Sequence, residues 1–155
     1  MKRNPITPAL LGVLLVALQF ALLAGLALQA ATGLAAGRLP IDAAIAAAAA
    51  VSLGVWALSA NRPGNFNIRP LPREGGHLVQ HGPYRWIRHP MYSALLLAGV
   101  AAARLSGDGT AWVIVAALAV VLAIKAAVEE RALIARHPAY QDYRRRTHRF
   151  VPGVY

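Results

Sequence analysis

The chain has 155 residues, 57% of them hydrophobic, with a formal net charge of +10 and no cysteine. The lack of cysteine excludes disulfides, thiolate metal sites, iron–sulfur clusters and cysteine nucleophiles. The apolar residues form long runs and are not spread periodically, which is typical of an integral membrane protein. The positive charge then requires no nucleic acid, because each cation close to anionic lipid is stabilised by about 1 kcal/mol.

Four apolar runs predict transmembrane helices. The runs at 8–31, 41–60 and 110–128 are each long enough to cross about 30 Å of hydrocarbon as a helix. The remaining run, 91–105, is shorter and needs residues of the preceding turn, so we predict this span over 88–105. The first run is too long for the apolar part of a cleavable signal peptide, which has about 7–15 residues. The sequence therefore predicts an all-α fold, a four-helix transmembrane bundle.

The distribution of cations predicts the orientation of this bundle. Of the 16 Lys and Arg residues, only Arg38 and Arg104 fall on one side of the predicted spans, and the positive-inside rule places both termini on the other, cytoplasmic side. We predict a single membrane domain over 1–155, multi-pass in the cell (inner) membrane. Its cytosolic cap consists of the loop between spans two and three and the C-terminal segment. The abundance of Arg and Ala suggests a bacterial source.

Span one carries two strongly polar side chains within its apolar run, Gln19 and Gln29. Glutamine in a spanning helix is typical of interhelical hydrogen bonding. We predict this structural role for both residues, and a close-packing role for the alanine-rich span two.

The stretch 81–92 interrupts the apolar pattern with cations, aromatic residues and prolines. Pro90 disfavours the α conformation at His89, so we predict a short helical turn at 83–88 and a new helix that starts at Pro90. Arg85 and Arg88 would then lie beside the free N–H groups of a helix N-terminus, which suits a carboxylate or phosphate ligand. The alternative is that these residues are interfacial anchors that reach lipid headgroups.

Two further segments are predicted on the cytoplasmic side. Residues 61–80 are rich in Asn, Pro and Gly, and a loop of this length in so small a protein is either functional or a plain linker. The arginines at 144–146 and 149 are predicted, taken alone, to contact lipid headgroups.

The last spanning helix is predicted to continue past the membrane and to stop near His137 and Pro138. Lys125 and Glu129 are four residues apart and share a face, whereas Glu130 points about a hundred degrees away. Two adjacent carboxylates at the boundary of a spanning helix should face protein, a cavity or water. The alternative is an ordinary interfacial cap with a surface ion pair.

These elements together resemble the isoprenylcysteine carboxyl methyltransferase family, whose wider group includes membrane phospholipid methyltransferases. The resemblance covers about residues 70–155, and residues 1–60 match only as generic spans. It is carried by His81-Gly82-Pro83-Tyr84, Arg88-His89-Pro90-Met91-Tyr92, Glu129-Glu130-Arg131-Ala132-Leu133, Tyr140-Gln141-Asp142-Tyr143 and Pro152.

The resemblance implies an integral membrane enzyme that uses S-adenosylmethionine and releases S-adenosylhomocysteine, with the cofactor held by residues 61–92 and 125–155. It implies Arg88, Glu129 and Lys125 at the reacting centre. Glu129 would serve as a base for an amine acceptor, or would position Lys125 or Arg88. The cofactor-binding residues that it implies are His81, Gly82, Pro83, Tyr84, His89, Tyr92, Glu130, Tyr140 and Tyr143.

The methyl acceptor stays open between a lipophilic carboxylate, thiol or amine and a phospholipid headgroup, and membrane lipids are the other expected partner. The chain departs from the family pattern at Lys125, where an arginine is expected, and at Arg136-His137-Pro138, where an aromatic residue and a glycine are usual. The sequence predicts no particular oligomeric state.

Two other functions remain open at the level of sequence. A non-enzymatic membrane scaffold or lipid-binding protein would have no cofactor affinity and would tolerate Glu129→Ala and His89→Ala. A nicotinamide-dependent membrane reductase would bind a reduced dinucleotide, although the chain has no strand followed by Gly-x-Gly-x-x-Gly. No metal site is predicted, because the histidines lack a paired-ligand spacing.

Overall fold

The computed structural model describes residues 6–61 and 78–153, with side chains from Leu10 onward. Its described part contains helices and no strand, which confirms the all-α prediction. Most of the predicted loop 61–80 lies outside the described residues. The helices are α1 Ile6–Ala35, α2 Ile41–Ala60, α3 Pro90–Ser106, α4 Gly109–Arg136 and the short α5 Tyr140–Arg145, with a 3₁₀ turn at Gly82–Arg85 between α2 and α3.

The helix ends follow local sequence signals at most positions. Helix α4 begins after Asp108, whose Oδ1 accepts a hydrogen bond from the Thr110 N–H at 2.9 Å, and it ends before His137 as predicted. The prediction that a new helix starts at Pro90 is confirmed, and α3 begins two residues inside the span predicted over 88–105. Arg88 and His89 stay outside it because their N–H groups bond carbonyls of the C-terminal segment.

Among the residues that the structure describes, three helices are long and apolar enough to cross a membrane: Leu10–Ala35, Ile41–Ala60 and Gly109–Arg136. Much of their apolar surface faces outward, as Leu28 and Val113 illustrate, which suits contact with lipid chains. The chain is therefore an integral membrane protein. Helix α3 has 17 residues, about 25 Å of helix against about 30 Å of hydrocarbon, so the fourth span stays a prediction.

Helix α3 occupies the middle of the bundle and packs against α1, α2 and α4. Its approach to α1 is close at Gly33, because a Cβ atom added there would overlap the Leu105 carbonyl. The buried core comes from α1, α3 and α4 and comprises Leu26, Ala103, Ala111, Leu118 and Leu122.

Polar contacts between α1 and α4 confirm the role predicted for the two glutamines. Gln19 Oε1 accepts a hydrogen bond from Lys125 Nζ, and Gln29 Nε2 donates to Thr110 Oγ1 at 3.2 Å. The lower-numbered glutamine meets the later part of α4, so the two helices run antiparallel. The Gln29 contact lies at the end of the bundle where α3 finishes, and the Gln19 contact lies toward the end where α3 begins.

Candidate active site

The chain is held at the N-terminus of α3 by residues 147–150, which we call the C-terminal strap. The Arg88 N–H donates to the His148 carbonyl at 2.8 Å and the His89 N–H to the Arg149 carbonyl at 3.1 Å. The Ser93 hydroxyl donates to the Phe150 carbonyl at 2.6 Å. Backbone donors that the break before Pro90 leaves free are thus satisfied by the strap, which brings the C-terminal segment to α3.

Glu130 of α4 is the centre of a buried ion-pair cluster. Its carboxylate accepts hydrogen bonds from Arg88 Nε at 2.8 Å and Arg149 Nη2 at 2.9 Å, and His89 Nε2 lies 3.2 Å from Oε1. The Glu130 side chain is 4% exposed. A buried carboxylate is tolerated only with such compensation, so Glu130 serves to join α4, the N-terminus of α3 and the strap.

Glu129, the adjacent carboxylate, has a more open environment. Its side chain is 32% exposed, and its Oε2 accepts a hydrogen bond from the Tyr92 hydroxyl at 3.1 Å. His89 Nδ1 lies 3.7 Å from the same oxygen. The two neighbouring acids therefore differ as their helical positions predicted, one enclosed by cations and the other accessible to a ligand.

Aromatic rings form one wall beside these carboxylates. The His89 and Tyr92 rings are stacked in parallel with centroids 5.2 Å apart, and Phe150 lies tilted 6.0 Å from His89 and 6.5 Å from Tyr92. Lys125 Nζ lies 5.3 Å from the centroid of the Tyr92 ring. The three residues predicted at the reacting centre are thus close together. Lys125 faces the Tyr92 ring, Glu129 accepts from the Tyr92 hydroxyl, and Arg88 binds the neighbouring Glu130.

The predicted tyrosines other than Tyr92 form a second aromatic group. The Tyr143 hydroxyl donates to the Tyr84 carbonyl at 2.7 Å, and the Tyr140 and Tyr143 rings meet edge to face at 5.7 Å. Burial, and secondly the Glu129 carboxylate, raise the pKa of Tyr84 to about 12. Burial also raises the pKa of Tyr140 and that of Tyr143 above the ordinary value, so all three stay neutral near pH 7.

The Tyr140 hydroxyl is buried and has no hydrogen-bond partner among the residues that the structure describes. The residue is 1% exposed, and Glu130 and Arg88 lie within electrostatic range of it. Leaving a buried hydroxyl unsatisfied costs about 1–3 kcal/mol. Glu129 also lies within electrostatic range of this donor, so a ligand that carries both an acceptor and a cationic group would suit the pair.

The other predicted cofactor residues lie at the 3₁₀ turn. His81 is exposed and precedes the turn, and Pro83 is buried within it. Gly82 has φ of 59°, and a Cβ atom there would lie 2.7 Å from the Ala60 side chain, so the turn packs closely on α2. Within the described part of the chain, no hydrogen bond or ion pair joins these three residues to Glu129 or Glu130.

Arg149 was missed as a site residue. The sequence placed it with Arg144, Arg145 and Arg146 as a lipid contact, whereas it pairs with Glu130. The other three are exposed, as contact with headgroups would require. A signal was present, because Thr147 and His148 separate Arg149 from the run and apolar Phe150 and Val151 follow it.

Thr147 and Phe150 were also missed. The Thr147 carbonyl accepts a hydrogen bond from Arg88 Nη1, and its hydroxyl donates to the Tyr143 carbonyl at 2.7 Å. No local sequence pattern indicates the contacts of Thr147 with Arg88 and of Phe150 with Ser93, because they join residues 59 and 57 positions apart.

The chain was compared with known protein families, curated proteins and solved structures. The sequence model of the isoprenylcysteine carboxyl methyltransferase family matches residues 43–135, which is more than half of the chain. No curated protein and no solved structure gives a significant match. The matched residues include Arg88, His89, Tyr92 and both acids of α4, whereas α1 and the C-terminal strap lie outside them.

Proposed function

The chain belongs to the isoprenylcysteine carboxyl methyltransferase family, a family of membrane methyltransferases, and on this basis we propose that it transfers a methyl group from S-adenosylmethionine to a lipophilic acceptor. Its family and its apolar helices make the chain a membrane methyltransferase.

The observation that carries the proposal is the contrast between the two adjacent acids of α4. Arg88, His89 and Arg149 engage Glu130, which leaves Glu129 accessible beside Tyr92. S-adenosylmethionine has a cationic sulfonium, an ammonium, a carboxylate and an adenine ring. A half-exposed carboxylate suits the cationic groups, and the rings of Tyr92, His89 and Phe150 suit the adenine.

The unpartnered Tyr140 hydroxyl suits the carboxylate of the same molecule. It is buried and neutral, and the cationic side chain of Arg88 lies within electrostatic range. A ligand carboxylate that accepts a hydrogen bond from this hydroxyl would be the partner that the described residues do not provide. The residues present therefore fit the cofactor that the family implies.

When bound, S-adenosylmethionine supplies an electrophilic methyl group that needs little acid–base assistance. The chain then has to bind and orient the cofactor and the acceptor and to exclude water from them. We assign Glu129 to direct contact with the ligand. A carboxylate or thiolate acceptor would need only positioning, whereas an amine would have to lose a proton, which Glu129 could accept.

Arg88 and Lys125 act in this proposal through other residues. Arg88 directs Nε to Glu130 and Nη1 to the carbonyls of Arg144 and Thr147, so it holds α4 against the C-terminal segment. Lys125 is 2% exposed and faces Gln19 and Tyr92 in the bundle interior. Both are positioning residues by this geometry.

The site would open to the cytoplasm, and the acceptor would enter from the membrane. The support is the positive-inside distribution of cations together with the position of the two acids near the end of α4. An acceptor that dissolves in lipid would reach Glu129 along the apolar helices, whereas the polar cofactor would arrive from water.

Transfer of an isotope-labelled methyl group tests the function. Detergent-purified protein would receive labelled S-adenosylmethionine with dodecanoic acid, dodecanethiol or dodecylamine, which represent the lipophilic carboxylate, thiol and amine acceptors. We expect a labelled product from at least one probe and a loss of about a hundredfold in Glu129→Gln. Asp42→Asn is the matched control, because its carboxylate is exposed and pairs with Arg104 at the opposite end of the bundle.

Folded wild-type protein that labels none of the three probes would contradict the proposed function. Labelling that Glu129→Gln leaves unchanged would support the methyltransferase but overturn the role of Glu129. An equal loss in Asp42→Asn would show that the effect is general instability.

A further inference from the structure

Lys125 is a buried cation of α4 with partners on two other helices, α1 and α3. It is 2% exposed on α4, it donates to Gln19 Oε1 on α1, and it lies 5.3 Å from the centre of the Tyr92 ring on α3. Gln19 is itself buried, with 6% exposure. A charge inside an apolar bundle is stable only where polar groups surround it, so the Gln19 oxygen is an important part of what holds the ammonium in place.

The same contacts continue to the accessible acid of the site. The Tyr92 hydroxyl donates to Glu129 Oε2 at 3.1 Å, and Glu129 follows Lys125 by one helical turn, on the same face of α4. Glu129 Oε2 thus has the Tyr92 hydroxyl and His89 Nδ1 beside it, and the Lys125 ammonium is a further cation within electrostatic range that can compete for the carboxylate. While Gln19 draws Lys125 toward α1, the carboxylate can keep its bond to Tyr92.

We infer that Gln19 is a positioning residue for the methyl-transfer site, acting on Glu129 and Tyr92 through Lys125. Without the Gln19 oxygen, the ammonium turns to the nearest carboxylate on its own face and displaces the Tyr92 hydroxyl from Glu129. Gln19 lies outside the residues that match the family, so this role is a property of α1 in this chain. Its effect on ligand binding rests on the proposed function, whereas the effect on Tyr92 does not.

The chain provides a matched control on the same helix. Gln29 is also a glutamine of α1 that bonds α4, through Thr110 at 3.2 Å, but it lies at the opposite end of the bundle. Gln19→Leu removes the bond to Lys125, and Gln29→Leu removes the bonds to Thr110 and Ser106, so a general loss of packing should affect Gln29→Leu at least as strongly. Gln19→Glu keeps an oxygen acceptor opposite Lys125 and should rescue.

The test is carbon NMR of tyrosines labelled at the ring carbon that bears the hydroxyl, which is practical because the chain has five tyrosines. Tyr92→Phe assigns the Tyr92 signal. We expect Gln19→Leu to shift that signal more than any other, Gln29→Leu to leave it in place, and Gln19→Glu to restore it. Calorimetry should show S-adenosylmethionine bound about tenfold or more weakly by Gln19→Leu than by Gln29→Leu.

A Tyr92 signal that keeps its position in folded Gln19→Leu protein would overturn the inference, as would an equal shift in Gln29→Leu. A shift confined to Gln19→Leu in a protein whose wild type binds no S-adenosylmethionine would support the Gln19 role and overturn the proposed cofactor. The failure of one proposal is therefore distinguishable from the failure of the other.

Discussion

Two adjacent acids in α4 have different roles because their neighbours differ. Glu130 is enclosed by Arg88, Arg149 and His89, and Glu129 is accessible with Tyr92 as its hydrogen-bond donor. Their helical positions predicted that they would point apart. Which of them is enclosed depends on Arg149, which reaches Glu130 from the C-terminal segment. Residue type alone does not distinguish Arg149 from an arginine that faces lipid.

Replacing each acid by its amide should separate stability from ligand binding. Glu130→Gln leaves Arg88 and Arg149 buried without their carboxylate, and removing one partner of a buried pair costs about 3–5 kcal/mol. Glu129→Gln should cost less than about 1 kcal/mol because its carboxylate is partly exposed, yet it should lose the ligand. Thermal unfolding in detergent, followed by circular dichroism, compares the two, and equal melting temperatures would contradict the different roles.

The tyrosines near the site make stability sensitive to alkaline pH. The pKa of Tyr84 rises from the ordinary 10 to about 12 in the folded protein, and Tyr140 and Tyr143 shift in the same direction. The unfolded chain therefore loses these protons first as pH rises. The protonated tyrosines make their full contribution to the stability of the folded protein below about pH 10, and this contribution is lost as pH rises through about 12.

Tyr84→Phe should flatten this decline, because it removes one of the groups whose ionisation favours unfolding. Melting temperatures of the wild type and Tyr84→Phe are compared from about pH 8 to about pH 12, a range that brackets the ordinary tyrosine pKa of about 10. Tyrosinate absorbance follows the ionisation. A wild-type melting temperature that stays level over the alkaline range would contradict the buried, neutral state of these side chains.

At the scale of elements, sequence predicted the helices better than it predicted what joins them. The bounds of α2 agree with the predicted run, and α4 ends at Arg136, beside the stop predicted near His137 and Pro138. The start of α3 at Pro90 was predicted from the proline, whereas the hydrogen bonds that tie Arg88 and His89 to the strap were not. A pattern of local residues cannot reveal such long-range partners.

Truncation tests the C-terminal strap. Ending the chain after Arg146 removes the carbonyls that bind the Arg88 and His89 N–H groups, together with Arg149. These amides should then exchange with solvent much faster, since an amide without a partner is not protected. Hydrogen exchange measured on the peptide around residues 86–89 gives the result. Truncation after Val151 keeps the strap and serves as the control, and equal exchange in both truncated chains would contradict its role.

At the scale of the whole molecule, long apolar helices made the membrane location predictable from sequence, since their length and hydropathy depend on no tertiary contact. The orientation rests on cation counts and stays a prediction. Arg38 donates to the Ser106 carbonyl at the end of α3, and Arg104 pairs with Asp42 at the start of α2. Both arginines therefore lie at the end of the bundle that is predicted to face away from the cytoplasm.

Single-cysteine labelling tests this orientation, because the native chain has no cysteine. Gly109→Cys lies at the start of α4 and Ala139→Cys lies just after its end, and both positions are exposed. We expect a membrane-impermeant maleimide to label Gly109→Cys from outside the cell and Ala139→Cys only in inverted vesicles. The opposite pattern would reverse the orientation and place the site on the outer face.

The most direct test of the account is calorimetric titration of the detergent-purified protein with S-adenosylmethionine and S-adenosylhomocysteine, beside Glu129→Gln and Asp42→Asn. We predict saturable binding of both ligands to the wild type and to Asp42→Asn, and weaker binding to Glu129→Gln, because Glu129 is the accessible carboxylate of the site. Folded wild-type protein that binds neither ligand would contradict the central claim.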